Sequence, residues 1–72
     1  MNKYLYRSKM ALYGDTTATV AAALGITPQR NSAKLNGTHG ADYSQQEITM
    51  LKKRWNLSAE EVDAIFFAID VS

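Results

Sequence analysis

Acid–base and metal chemistry need side chains brought together in sets, and in this chain the sets are incomplete. His39 is the only histidine among 72 residues, it lies in a glycine-flanked segment, and the chain has no cysteine to join it. A metal site and a serine–histidine dyad therefore both lack their second member, and His39 reads as a loop residue. Glu60 and Glu61 are adjacent, so a helix turns them about 100° apart, the wrong geometry for a pair of carboxylates working on one substrate. No glycine-rich phosphate loop is present. The cluster Lys52-Lys53-Arg54 could meet phosphate or an anionic lipid, but at a helix end it more simply complements the negative end of the helix dipole. The expectation is no enzyme, no metal, no cofactor and no small-molecule substrate.

With catalysis set aside, charge and length describe the surface that remains. The net charge of +1 conceals a split: eight Lys and Arg against three acids precede residue 56, a balance of +5, whereas Glu60, Glu61, Asp63 and Asp70 stand in a tail with no base, a balance of −4. A basic face suits phosphates and an acidic one suits a basic protein. Seventy-two residues make one small domain, 1–72, near the lower size at which a single core suffices without disulfide or metal. The lack of cysteine, of an export signal and of a bilayer-length apolar run leads to the expectation of a soluble protein in a reducing bacterial cytoplasm, with no membrane partner.

The elements that must position any binding surface are helices. The spacing predicts a first helix over 3–13, with Tyr6, Met10 and Tyr13 at i, i+4 and i+7 and Leu5 and Leu12 alongside. Gly14 ends it. Thr16 caps a second helix over 17–24, Gly25 supplies a turn, and Thr27-Pro28 forms the N-cap and N1 pair of a third over 28–36, which stops near Asn36-Gly37. Residues 37–43 read as a loop. Two capping boxes, Ser44 to Glu47 and Ser58 to Glu61, open helices over 45–55 and 59–69, with Ile48, Leu51, Trp55, Val62, Ile65, Phe66 and Ile69 as inward residues. Phe67, beside the core candidate Phe66, is the better interface residue.

The run from Gly14 to Gly37 therefore has the form of a helix-turn-helix, with Val20, Ala21, Leu24, Ile26 and Leu35 as its apolar positions. Together with Tyr-Ser-Gln-Gln-Glu-Ile (43–48) and Leu-Lys-Lys-Arg-Trp-Asn-Leu-Ser-Ala-Glu-Glu-Val-Asp-Ala-Ile-Phe-Phe (51–67), it resembles small phage helix-turn-helix regulators of the lambda-repressor-like (Cro/CI) class. Within that class it is most similar to the modulators of repression, or antirepressors, of lactococcal temperate phages. The resemblance covers nearly the whole chain. It implies an all-α, compact five-helix domain and a role in the lysis–lysogeny switch.

Departures from the family pattern separate two readings. The base-reading positions of the family fall on Thr27, Pro28, Gln29, Ser32 and Ala33, of which Pro28 and Ala33 cannot make bidentate base contacts and only Gln29 is equipped for an adenine. Asn31 stands where relatives anchor the recognition helix with a large apolar residue, a loss of roughly 1.5–3 kcal/mol of burial unless its amide is satisfied. It is therefore expected to weaken the docking of that helix. Ala18, Thr19, Ala22 and Ala23 leave the outer side of the second helix small and smooth.

The first reading is an antirepressor that binds the N-terminal DNA-binding domain of a CI-type repressor through Ala22, Gln29, Arg30, Ala33, Lys34 and Asn36 and masks its DNA-binding surface. In a variant of this reading the acidic patch of Glu60, Glu61, Asp63 and Asp70 imitates phosphates. The alternative is a Cro-like repressor that binds operator DNA as a dimer, with Gln29 and Ser32 at base edges, Thr17, Arg30 and Lys34 at phosphates, and Thr27 beside them. Operator DNA is then a partner of the chain alone or of its complex with the repressor.

Overall fold

The computed structural model describes residues 1–37 and 42–67. Five α-helices follow one another: α1 (Lys3–Leu12), α2 (Thr17–Leu24), α3 (Pro28–Asn36), α4 (Gln45–Arg54) and α5 (Ala59–Phe66), with no strand among the described residues. The starts fall where the sequence places them because each is fixed by its own cap. Asn2, Thr16, Thr27, Ser44 and Ser58 each accept a hydrogen bond from a backbone N–H of the first turn. The two expected capping boxes are present, and Thr16 with Thr19 makes a third.

The ends are shorter than periodicity implies. Tyr13, Trp55 and Phe67 are capping residues outside their helices, so α1 and α4 each stop one residue early and α5 stops at Phe66. Ile69, Asp70 and His39 lie outside the described residues. Between α2 and α3 the chain reverses at Gly25, whose φ of 73° is left-handed. Its N–H and that of Ile26 close back on the carbonyls of Ala22 and Ala21, at 3.2 and 3.0 Å. A side chain at Gly25 would meet nothing within 4 Å, so glycine is required there by conformation and not by space.

Tyr6 of α1 is the centre of the core. Its ring stacks on Tyr43 at 5.6 Å and meets Trp55 and Phe66 edge-on at 5.1 and 6.2 Å. Val20, Leu24, Leu35, Ile48, Leu51, Leu57 and Ile65 complete the cluster. Tyr43 and Leu57 are buried although each precedes a helix. Each occupies the position before an N-cap serine, from which an apolar side chain can fold back over the first turn of its helix, and both join the core cluster that includes Ile48 and abuts Val62. The expected inner stripe of α1 is only partly realised: Tyr6 is buried, Leu5 and Met10 pack against the core, but Leu12 is 71% exposed and Tyr13 faces solvent from its cap position.

Candidate interaction surface

The unit formed by α2, the Gly25 turn and α3 is the most closely packed pair of elements in the fold, and its geometry depends on how α3 is seated. Asn31 is 1% exposed, and the expected loss of docking is offset because both the nitrogen and the oxygen of its amide have a partner. Nδ2 donates to the carbonyl of Thr17 at 3.0 Å, and Oδ1 accepts from the hydroxyl of Tyr43 at 2.6 Å. With that proton committed, the Tyr6 hydroxyl donates to Tyr43 across 2.8 Å. Burial pushes the Tyr43 hydroxyl well above the ordinary tyrosine range, so the relay stays neutral and keeps its donors. A polar chain from α1 through Tyr43 to α3 and α2 thus seats α3.

Lys34 lies next to this seat and is also turned inward. Its ammonium donates to Glu47 Oε1 at 2.8 Å and to the carbonyl of Asp42 at 3.1 Å, and both side chains of the ion pair retain only 11% exposure. Glu47 at the same time accepts from the backbone N–H of Ser44 in its capping box. Burial by itself would raise the Glu47 pKa, but the hydrogen bonds from Lys34 and Ser44 outweigh it and hold the carboxyl below its ordinary value. Lys34 is therefore a structural cation, not the outward contact expected of it.

Asp15 holds the other end of the unit. Oδ2 accepts from Arg54 Nε at 2.9 Å and from the Trp55 indole at 2.7 Å, while Oδ1 accepts from Arg54 at 2.7 Å and from the Thr19 hydroxyl at 2.8 Å. The Arg54 fork holds the Asp15 carboxyl far below the usual carboxylate range, against the opposing effect of burial. Of the cluster Lys52-Lys53-Arg54, this takes Arg54 away from any purely dipolar role.

What α2 and α3 leave outside is narrow. Ala22, Gln29, Arg30 and Asn36 are exposed, while Ser32 and Ala33 are half-buried between them. Asn36 is loosely held, its Nδ2 donating to Ser32 at 3.4 Å and its Oδ1 accepting from Lys3 at 3.5 Å. Thr27 is occupied as the N-cap, its hydroxyl accepting from Arg30 N–H. Thr17 is half-buried, with its carbonyl serving Asn31. On α5, Glu60 and Asp63 are exposed, but Glu61 closes its capping box and pairs with Lys9, which holds its carboxyl below the ordinary value and thins the acidic patch.

Between α2 and α4 lies a groove of about 510 Å³ lined by Ala23, Leu24, Met50, Leu51, Lys53 and Arg54. Among the described residues no helix is long and apolar enough to cross a membrane, and no cluster of three candidate metal ligands occurs. Comparison with protein-family models, curated proteins and solved structures gave no match.

Proposed function

We propose that the chain is a phage transcriptional modulator of the antirepressor kind. In this reading α2 and α3 are the helix-turn-helix of a lambda-repressor-like domain, and their outer surface docks on the N-terminal DNA-binding domain of a CI-type repressor. Masking that domain keeps the repressor off its operator and biases the lysis–lysogeny switch. The family reading itself comes from the sequence resemblance. The inward turn of Lys34 is the observation that carries the choice of partner, because it leaves Arg30 as the one cation of α3 that faces solvent. Affinity for DNA grows with the number of phosphates neutralised, and a helix with one free cation beside Ala22 and Ala33 is better suited to a protein surface.

A binding comparison tests this. The purified chain at physiological salt is expected not to shift operator DNA by itself, and to co-elute with the N-terminal domain of the CI-type repressor of the same genome. Arg30→Glu should weaken that complex about tenfold or more, equivalent to at least ~1.4 kcal/mol. Reversing Glu60 and Asp63 to Lys should leave it intact. If only the acidic reversals abolish binding, docking passes to α5 and phosphate mimicry.

The firm seating of Asn31 favours the second reading, a Cro-like dimer on operator DNA. It keeps α3 rigid, and Gln29 remains outside where it could reach an adenine edge. Tight, sequence-specific and salt-sensitive binding by the chain alone would establish that reading and discard the first.

A further inference from the structure

We infer that the groove between α2 and α4 is a self-association site whose occupant is α5 of a second copy of this chain. The inference does not rest on the antirepressor reading, since none of Gln29, Arg30 or Asn36 lines the groove, and self-association is also what the Cro-like reading requires.

The groove is built for a side chain with an apolar body and an acidic surround. Leu24 and Leu51 form a buried floor, Ala23 leaves one wall low, and Met50, 40% exposed, offers a pliant thioether on the other. Its only charged lining residues are cations, Lys53 and Arg54. Arg54 is bound to Asp15 yet keeps 40% of its side chain in solvent, so its outer edge remains available to an anion.

A complementary surface lies elsewhere on the same molecule. Glu60, Asp63, Ala64 and Phe67 are spaced i, i+3, i+4 and i+7, which puts them on one side of α5 and its cap, and all four are exposed. Phe67 is 53% exposed, an uncommon position for a phenyl ring. The stripe therefore carries two carboxylates and one large apolar side chain, opposite in sign to the groove and matching it in having an apolar centre. Glu61, which would crowd the stripe, is held aside by Lys9 and Ser58. Each copy presents both surfaces, and an arrangement about a two-fold axis would let two copies make the contact twice. A stable interface covers about 800 Å² per partner, roughly a sixth of the 4714 Å² surface of the described fold. One groove and one stripe on each copy are modest against that size, and the association is accordingly expected to be weak, with a Kd on the order of 100 µM.

Sedimentation velocity across a concentration series from about 10 µM to about 1 mM spans that range. The full chain should pass from its 8.0 kDa monomer toward twice that mass as concentration rises. Raising the salt should reverse the shift, because the contacting charges become screened. Lys53→Glu alone and Glu60→Lys with Asp63→Lys should each remain monomeric, with unchanged far-ultraviolet circular dichroism to establish that they fold. Mixed in equal amounts, the two variants should recover association, since each supplies the surface the other has lost. Phe67→Ala should abolish it without altering charge. A wild-type chain that stays monomeric at 1 mM, association insensitive to either reversal, or a mixture that does not recover would overturn the inference.

Discussion

The two ends of α4 hold the two halves of the α2–α3 unit by different means. At its N-terminal end Glu47 takes Lys34 of α3 into a mutually buried ion pair, two charges sharing one small space. At its C-terminal end Arg54 and Trp55 converge on Asp15, just before α2, so that a single carboxylate with 5% side-chain exposure is surrounded by donors while its cation remains half in water. The first arrangement fixes a charge that would otherwise face outward. The second gives the chain between α1 and α2 a fixed point, and of the exposed residues of α2 and α3 it uses only the Thr19 hydroxyl.

The clearest way to break this comparison is to remove each acceptor in turn. Asp15→Ala strands the buried indole N–H and releases Arg54, and should cost about 3 kcal/mol in urea unfolding. Glu47→Ala leaves the Lys34 ammonium able to swing out to solvent, so the loss should be smaller, about 2 kcal/mol, mostly from the cap and the charged hydrogen bond. Equal losses would mean that the shared burial of the Glu47–Lys34 pair matters as much as the number of donors converging on Asp15.

Acid sharpens the same contrast. Both carboxyls are held below their ordinary values in the folded protein, so each contributes stability that is complete above the unfolded range near ~4. As pH falls through that range the unfolded chain binds protons that the folded chain refuses, and stability is lost. The larger depression is at Asp15. Asp15→Asn should therefore flatten the melting temperature between about pH 5 and pH 3 more than Glu47→Gln does.

Two smaller effects concern how α3 is seated and how the turn before it is formed. Tyr43→Phe leaves Asn31 Oδ1 buried without its donor and the Tyr6 hydroxyl without its acceptor, and should cost about 1–2 kcal/mol. Adding Asn31→Leu and Tyr6→Phe should recover most of that loss, because the three substitutions together leave no side chain of the relay in want of a partner. Gly25→Ala should cost about 1 kcal/mol, purely from the left-handed backbone, with the helices otherwise undisturbed in circular dichroism.

The starts of α2 to α5 were legible in their caps, since a cap is a local relation between a side chain and the three residues after it, whereas the start of α1 was read from periodicity alone and its cap, Asn2, was missed. Periodicity continues in the letters as far as Tyr13 after the helix has ended in the backbone, whereas Leu12, the last residue of α1, lies off its buried face. The seating of α3 was not legible. Asn31 finds Tyr43 twelve residues away, Lys34 finds Glu47 thirteen away and Asp15 finds Arg54 thirty-nine away. No local pattern ties such residues together. Tyr43 alone left a signal, its place before the N-cap Ser44, which marks an apolar side chain folded back on its helix. As for the candidate surface, the sequence identifies the residues that α2 and α3 carry, but only the packing decides that Gln29 and Arg30 stay outside while Lys34 does not.

Trp55 is the chain's sole indole, fully buried and donating its proton to Asp15. The protein thus carries a built-in optical gauge of one particular joint. Its emission should redden when α4 releases the chain ahead of α2, whether by acid or by mutation. Fluorescence can therefore follow the opening of that single contact, residue by residue, without any label.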